Sequence, residues 1–85
     1  MAKYAVYHSS RFDRELNKFD PVFQSHVDKI EEELKDNPYL GKPLTREHEG
    51  KFSYKVGTYR VVYKIYEKEK RVFVLTAGHR STVYQ

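Results

Sequence analysis

The run "FSYKVGTYRVVYKI", Phe52 to Ile65, decides the fold. Two segments rich in β-branched and aromatic residues flank Gly57-Thr58, and a two-residue loop with glycine first is the type II′ hairpin pattern. That loop sets the register: Val56 faces Tyr59, Lys55 faces Arg60, and Phe52 faces Tyr63. Alternation gives one face to Phe52, Tyr54, Val56, Tyr59, Val61, Tyr63 and Ile65, an apolar surface for helices to cover. The opposite face receives Ser53, Lys55, Arg60, Val62 and Lys64. Two cations directly across a ladder are unfavourable unless something anionic lies between them.

Working outward, "EKEK" (Glu67 to Lys70) makes a second turn, and Arg71–Ala77 makes a third strand. An unbroken antiparallel register places Ala77 opposite Arg60, with His79 on the Lys55/Arg60 face and Arg80 pointing away. Gly78 permits a bulge that re-aims the residues after it. The expectation is therefore a break at Gly78 that delivers Arg80 and Tyr84 to the cationic face. Val62, Phe73 and Leu75 share that face and offer it an apolar component.

The N-terminal half reads as one strand and two helices. "KYAVYH" (Lys3 to His8) alternates. Ser10 and Asp13 approximate a capping box, followed at helical spacing by Phe12, Leu16 and Phe19. "FDPVF" restarts the helix, with Asp20 as N-cap and Pro21 at the first helical position. Phe23, Val27, Ile30 and Leu34 form one apolar stripe before Asn37-Pro38 ends the helix. Residues 39–50 are polar and read as a loop. The expected fold is α+β, in the order β-α-α-β-β-β, with a helical hairpin packed on one face of a small, mainly antiparallel sheet.

Eighty-five residues, read as a single domain over 1–85, allow one modest core. There is no cysteine, which excludes disulfides and thiolate metal sites and fits a reducing compartment. No apolar run approaches membrane-spanning length and the N-terminus lacks a signal-peptide core, so the expected location is cytoplasmic, without a membrane partner. The net charge of +4 is unevenly divided. Residues 1–50 carry eight Lys/Arg against ten Asp/Glu, and residues 51–85 carry eight against two. A basic C-terminal region suits an anionic partner, nucleic acid foremost, although a solvated basic surface has the same composition.

A cluster of Lys55, Arg60, Arg80, Tyr84 and His79 with no carboxylate pair suits RNA cleavage. RNA carries its own nucleophile, the 2′-OH beside the scissile phosphate, so a protein need only align it, move protons and stabilise phosphorane charge. Arginine matches phosphate oxygens with a planar fork, a lysine crowded by arginines is disposed to act as a base, and a tyrosine can stack on a base. RNA binding without cleavage fits the same composition. Lys51, Ser53 and Lys64 are candidate RNA contacts on the same face. His8, His26, His48 and His79 lack ligand spacing and carboxylate companions, so neither a metal nor another cofactor is expected. No nucleophile elbow, P-loop or dinucleotide motif occurs.

Across "GKPL", "FSYKVGTYRVVYKI" and "VFVLTAGHRSTVY" the chain resembles the RelE family of toxins, within the RelE/ParE superfamily. The resemblance implies a ribosome-dependent endonuclease that cuts mRNA in the A site, inhibits translation and is silenced by a cognate antitoxin. It implies no direct DNA binding by the toxin alone. By this resemblance Lys55 serves proton transfer, Arg60 phosphate contact, Arg80 transition-state stabilisation and Tyr84 substrate orientation. Ser53 stands where some relatives carry a second lysine, which implies lower activity. His79 stands before the last arginine, where it is a candidate general acid or a solvated strand-end residue. The alternative is a ParE-like toxin, with the same fold, that binds and poisons DNA gyrase.

Overall fold

The computed structural model describes residues 3–44, 50–57 and 59–79. Strand β1 (Ala5–His8) leads into helices α1 (Ser10–Leu16) and α2 (Pro21–Asp36). A 3-10 turn at Pro38–Leu40 precedes a two-residue strand β2 (Lys42–Pro43). Strands β3 (Lys51–Val56), β4 (Tyr59–Tyr66) and β5 (Arg71–His79) complete one sheet in the order β1-β5-β4-β3-β2. The β1–β5 pair is parallel and the others are antiparallel. The expected α+β architecture holds, with one strand added. Lys42–Pro43, read from sequence as loop, pairs with Phe52–Ser53 at the sheet edge, where a proline costs no ladder bond.

Asp20 caps α2 by accepting from the Phe23 amide, with Pro21 at the first turn as expected. The cap of α1 is Ser9 rather than Ser10: its Oγ accepts from the Phe12 amide at 3.0 Å. Ser9 also ties the helix to the sheet, because its amide donates to the Val74 carbonyl and its Oγ donates to the Leu75 carbonyl at 2.7 Å.

The core lies between the helices and the inward face of the sheet. Phe12, Val27 and Leu34 pack with Val61, Tyr63, Val72 and Val74, all essentially sealed from water. Each such aliphatic or aromatic side chain contributes about 1.5–3 kcal/mol by leaving water. The α2 stripe Phe23, Val27, Ile30 and Leu34 is buried as its spacing requires.

The β3–β4 register is the expected one, Val56 to Tyr59, Lys55 to Arg60 and Phe52 to Tyr63. Gly57 has φ +61°, which the hairpin turn requires. Thr58, the other half of that turn, lies outside the described residues. The β4–β5 register differs from the expected one. Val62 pairs with Thr76 but Tyr63 pairs with Val74, so Leu75 is an extra residue and a bulge interrupts the ladder there. Gly78, not Ala77, therefore faces Arg60, and His79 faces Tyr59. The strand runs through Gly78 without breaking; the re-aiming occurs three residues earlier, where the Leu75 carbonyl turns to Ser9.

Two further expectations change. His8 does have carboxylate companions: Nδ1 bonds Asp13 at 3.0 Å, and Nε2 bonds Glu31. These acids are 5 and 23 positions away in sequence and meet the ring only through folding. They occupy both ring nitrogens, so the imidazole bridges α1 and α2 instead of joining a chelate. Val62, expected to offer apolar surface, is only 5% exposed.

Candidate functional site

The outward face of the sheet is read directly from the register. Lys55 faces Arg60, Ser53 faces both Val62 and Lys42, and Lys51 faces Lys64. On β5, Phe73 faces Lys64 and Arg71 faces Tyr66. The charged residues at these outward strand positions are Lys42, Lys51, Lys55, Arg60, Lys64 and Arg71, all cationic. Among the described strand residues no acid shares that face. Glu67, in the turn beyond β4, lies beside the Tyr39 hydroxyl.

A cleft of about 530 Å³ opens at one end of this face, lined by Leu40, Gly41, Lys42, Ser53, Tyr54, Lys55 and Arg60. Its wall is set by the chain leaving α2. Asn37 caps the 3-10 turn by accepting from the Tyr39 amide at 3.1 Å. The buried Tyr63 hydroxyl donates to the Pro38 carbonyl at 2.8 Å and accepts from the Gly41 amide at 2.9 Å. Burial raises the Tyr63 phenol pKa above its ordinary 10.0, so the hydroxyl keeps its donor proton. A Cβ on Gly41 would lie 2.6 Å from that hydroxyl and 2.7 Å from the Ser53 carbonyl, so only glycine admits this approach.

Inside the cleft, Lys55 is exposed and Arg60 half-buried. Ser53 is 2% exposed, and its Oγ accepts from Arg60 Nη1 at 3.4 Å. Ser53 is thus placed to hold the guanidinium rather than to lie open to a ligand. The Tyr54 hydroxyl donates to Glu33 at 3.3 Å. Desolvation, then the Glu33 charge, holds that phenol above its ordinary range. Glu15 braces the end of β5, accepting from Thr76 Oγ1 at 2.6 Å and from the Ala77 amide at 3.1 Å.

Of the residues singled out in the sequence, Lys55, Arg60 and Ser53 meet in the cleft, and Lys51 and Lys64 pair on the same face. Arg80 and Tyr84 lie outside the described residues, as does the His79 side chain. Lys42 was missed because residues 39–50 carry loop composition; Gly41-Lys42-Pro43 beside a strand is the edge signal that marks it. No group of three His, Cys, Asp or Glu among the described residues is disposed to hold a metal ion. No described helix is long and apolar enough to cross a membrane.

This geometry has known counterparts. Residues 6–84 match the family model described as the ParE toxin of the type II toxin–antitoxin system parDE. The chain is 34% identical over 84 residues to Toxin RelG of Mycobacterium tuberculosis, covering 96% of this chain and 97% of the relative. It is also similar to a chain in the crystal structure of the toxin–antitoxin complex RelBE2 from Mycobacterium tuberculosis. That match has a TM-score of 0.84 at 35% identity over 95% of each chain. The isolated RelE toxin of E. coli matches with a TM-score of 0.77 at 25% identity, over 95% of this chain and 90% of that one.

Proposed function

This chain belongs to the ParE toxin family of type II toxin–antitoxin systems, within the RelE/ParE superfamily, and from that premise we propose that it is a RelE-type mRNA endonuclease. In this reading it works in the cytoplasm on ribosome-bound mRNA, cutting in the A site through the RNA's own 2′-OH, and a cognate antitoxin silences it. The observation that carries the reading is the direct opposition of Lys55 and Arg60 over an open cleft, on a face whose charged strand residues are all cationic. Such an arrangement is relieved when a phosphate enters between the two side chains.

The proposed roles come from placement. Arg60, held by Ser53, presents its guanidinium to the scissile phosphate. Lys55, exposed at the rim, takes the proton of the attacking 2′-OH. The phosphorane charge falls to Arg80 and the orientation of the flanking base to Tyr84; these two roles rest on the resemblance. No role is assigned to His79, since Gly78 takes the position opposite Arg60. The face offers cations and no carboxylate, which suits a substrate that brings its own nucleophile. The toxin–antitoxin complex among the similar structures supports an antitoxin partner.

The ParE description of the matching family model favours one other reading, inhibition of DNA gyrase. Parallel assays separate the two. Purified chain added to a translation extract should truncate mRNA within ribosome-bound codons and leave gyrase supercoiling intact. Inhibited supercoiling with intact mRNA would reverse the assignment.

A further inference from the structure

Away from the cleft, the outward face ends in a group of rings and cations that the proposed chemistry does not use. Tyr7 of β1 stacks on Phe73 of β5, with ring centroids 6.1 Å apart and planes 25° apart. The Arg71 guanidinium carbon lies 5.7 Å from the centre of the Tyr7 ring. Beside it, the Lys64 ammonium lies 5.2 Å from the centre of the Tyr66 ring. Tyr7 and Tyr66 remain 44% and 40% exposed although both belong to strands. Large rings left open on a sheet face require an explanation that isolated surface residues do not.

We propose that this group is a stacking platform for single-stranded RNA, and that it holds nucleotides of the substrate strand flanking the cut. The inference rests on the cleavage reading for the identity of the strand. Two ring–cation pairs stand side by side, Tyr7 with Arg71 and Tyr66 with Lys64. Each pair matches one nucleotide, a flat base for the ring and a phosphate for the cation. An acidic peptide would satisfy the cations, but its charge does not require a planar group beside each one, whereas every nucleotide carries both a phosphate and a base. The platform is also continuous with the cleft. From Arg60 to Tyr66 along β4 is roughly 20 Å, at about 3.3 Å per residue, and the intervening row pairs Lys51 with Lys64. A strand leaving the cleft across this face therefore passes the Lys51–Lys64 pair before it reaches the rings.

The test uses the intact chain and RNA oligonucleotides 2′-O-methylated throughout, so that they bind without being cut. Anisotropy at fixed salt should show affinity rising from a trinucleotide to a decanucleotide. Tyr7→Ala with Tyr66→Ala should remove at least about tenfold of the long oligonucleotide's affinity and leave the trinucleotide's unchanged. The double Tyr→Phe variant should bind as the parent does, and both variants should keep the parent's circular dichroism. Affinity independent of length, or an alanine variant that binds the long RNA like the parent, would overturn the platform. So would an alanine variant that loses only antitoxin affinity, or only affinity for ribosomes free of mRNA. Cleavage of ribosome-bound mRNA by the parent is measured separately. Length-dependent binding without any cleavage would support the platform and reverse the proposed function, whereas cleavage without length dependence would do the opposite.

Discussion

Lys55 and Arg60 stand directly opposite each other in β3 and β4, one ladder position from the pair that closes the hairpin. Like charges in that relationship destabilise a sheet by a few tenths to about 1 kcal/mol. The pair therefore holds repulsion that an anion between the two side chains would relieve. Lys55→Thr should raise thermal stability by up to about 1 kcal/mol, a few degrees in Tm for a domain of this size. The same variant should lower turnover by roughly 10²–10⁴ if Lys55 moves the proton. Calorimetry and a cleavage assay on one preparation check both halves. A variant that loses both stability and activity would show that Lys55 serves the fold.

Glu15 gives α1 a hold on β5 by accepting from Thr76 Oγ1 and the Ala77 amide. Glu15→Gln keeps an acceptor oxygen at that point, whereas Glu15→Ala leaves two donors without one. The alanine variant should lose about 1–3 kcal/mol in urea unfolding, and the glutamine variant much less. Equal losses would mean that the charge, through its contact with Arg11, matters more than the acceptor.

Gly41 and Tyr63 hold the cleft wall together. Gly41→Ala forces a Cβ against a backbone carbonyl and a buried hydroxyl, so the wall must shift. Tyr63→Phe removes the partner of two backbone groups and should cost about 1–3 kcal/mol. Both should reduce binding of short RNA, read by anisotropy, before they unfold the chain. Unchanged RNA affinity in Gly41→Ala would show that this wall does not shape the binding site.

His8 makes stability depend on pH. Burial alone would lower its pKa, but hydrogen bonds and charge from Glu31, then Asp13, outweigh that and raise it above 6.5. A pKa raised on folding means that the protonated form is favoured in the native state. Its stabilisation is complete below the unfolded value and is lost as pH rises through the folded value. Urea midpoints of the parent and of His8→Gln should thus differ most below about pH 6.5 and converge above it. A gap that widens with rising pH would contradict this account of the bridge.

Much of the site was legible because one turn set it. Gly57 in a two-residue loop fixes which residue faces which, and from that the Lys55–Arg60 opposition is reached by counting. The position opposite Arg60 on β5 was not. It depends on the bulge at Leu75, and that bulge is accompanied by a bond to Ser9, 66 positions away in sequence. Strand alternation carries no information about such a long-range bond. The Tyr7–Phe73 stack was hidden for a related reason: β1 enters the sheet parallel to β5, from the other end of the chain. His8 had the same difficulty, since Glu31 reaches it only across the packed helices.

The measurement that bears most directly on the proposed chemistry changes one oxygen atom of the substrate. An mRNA carrying a single 2′-deoxy nucleotide beside the scissile phosphate is programmed into ribosomes and offered to the chain. Attack by the 2′-OH predicts a cut only in the all-ribose control, leaving a 2′,3′-cyclic phosphate and a 5′-hydroxyl, with binding of the deoxy mRNA nearly unchanged. Cleavage of the deoxy mRNA at the same phosphate would contradict the mechanism and require an external nucleophile.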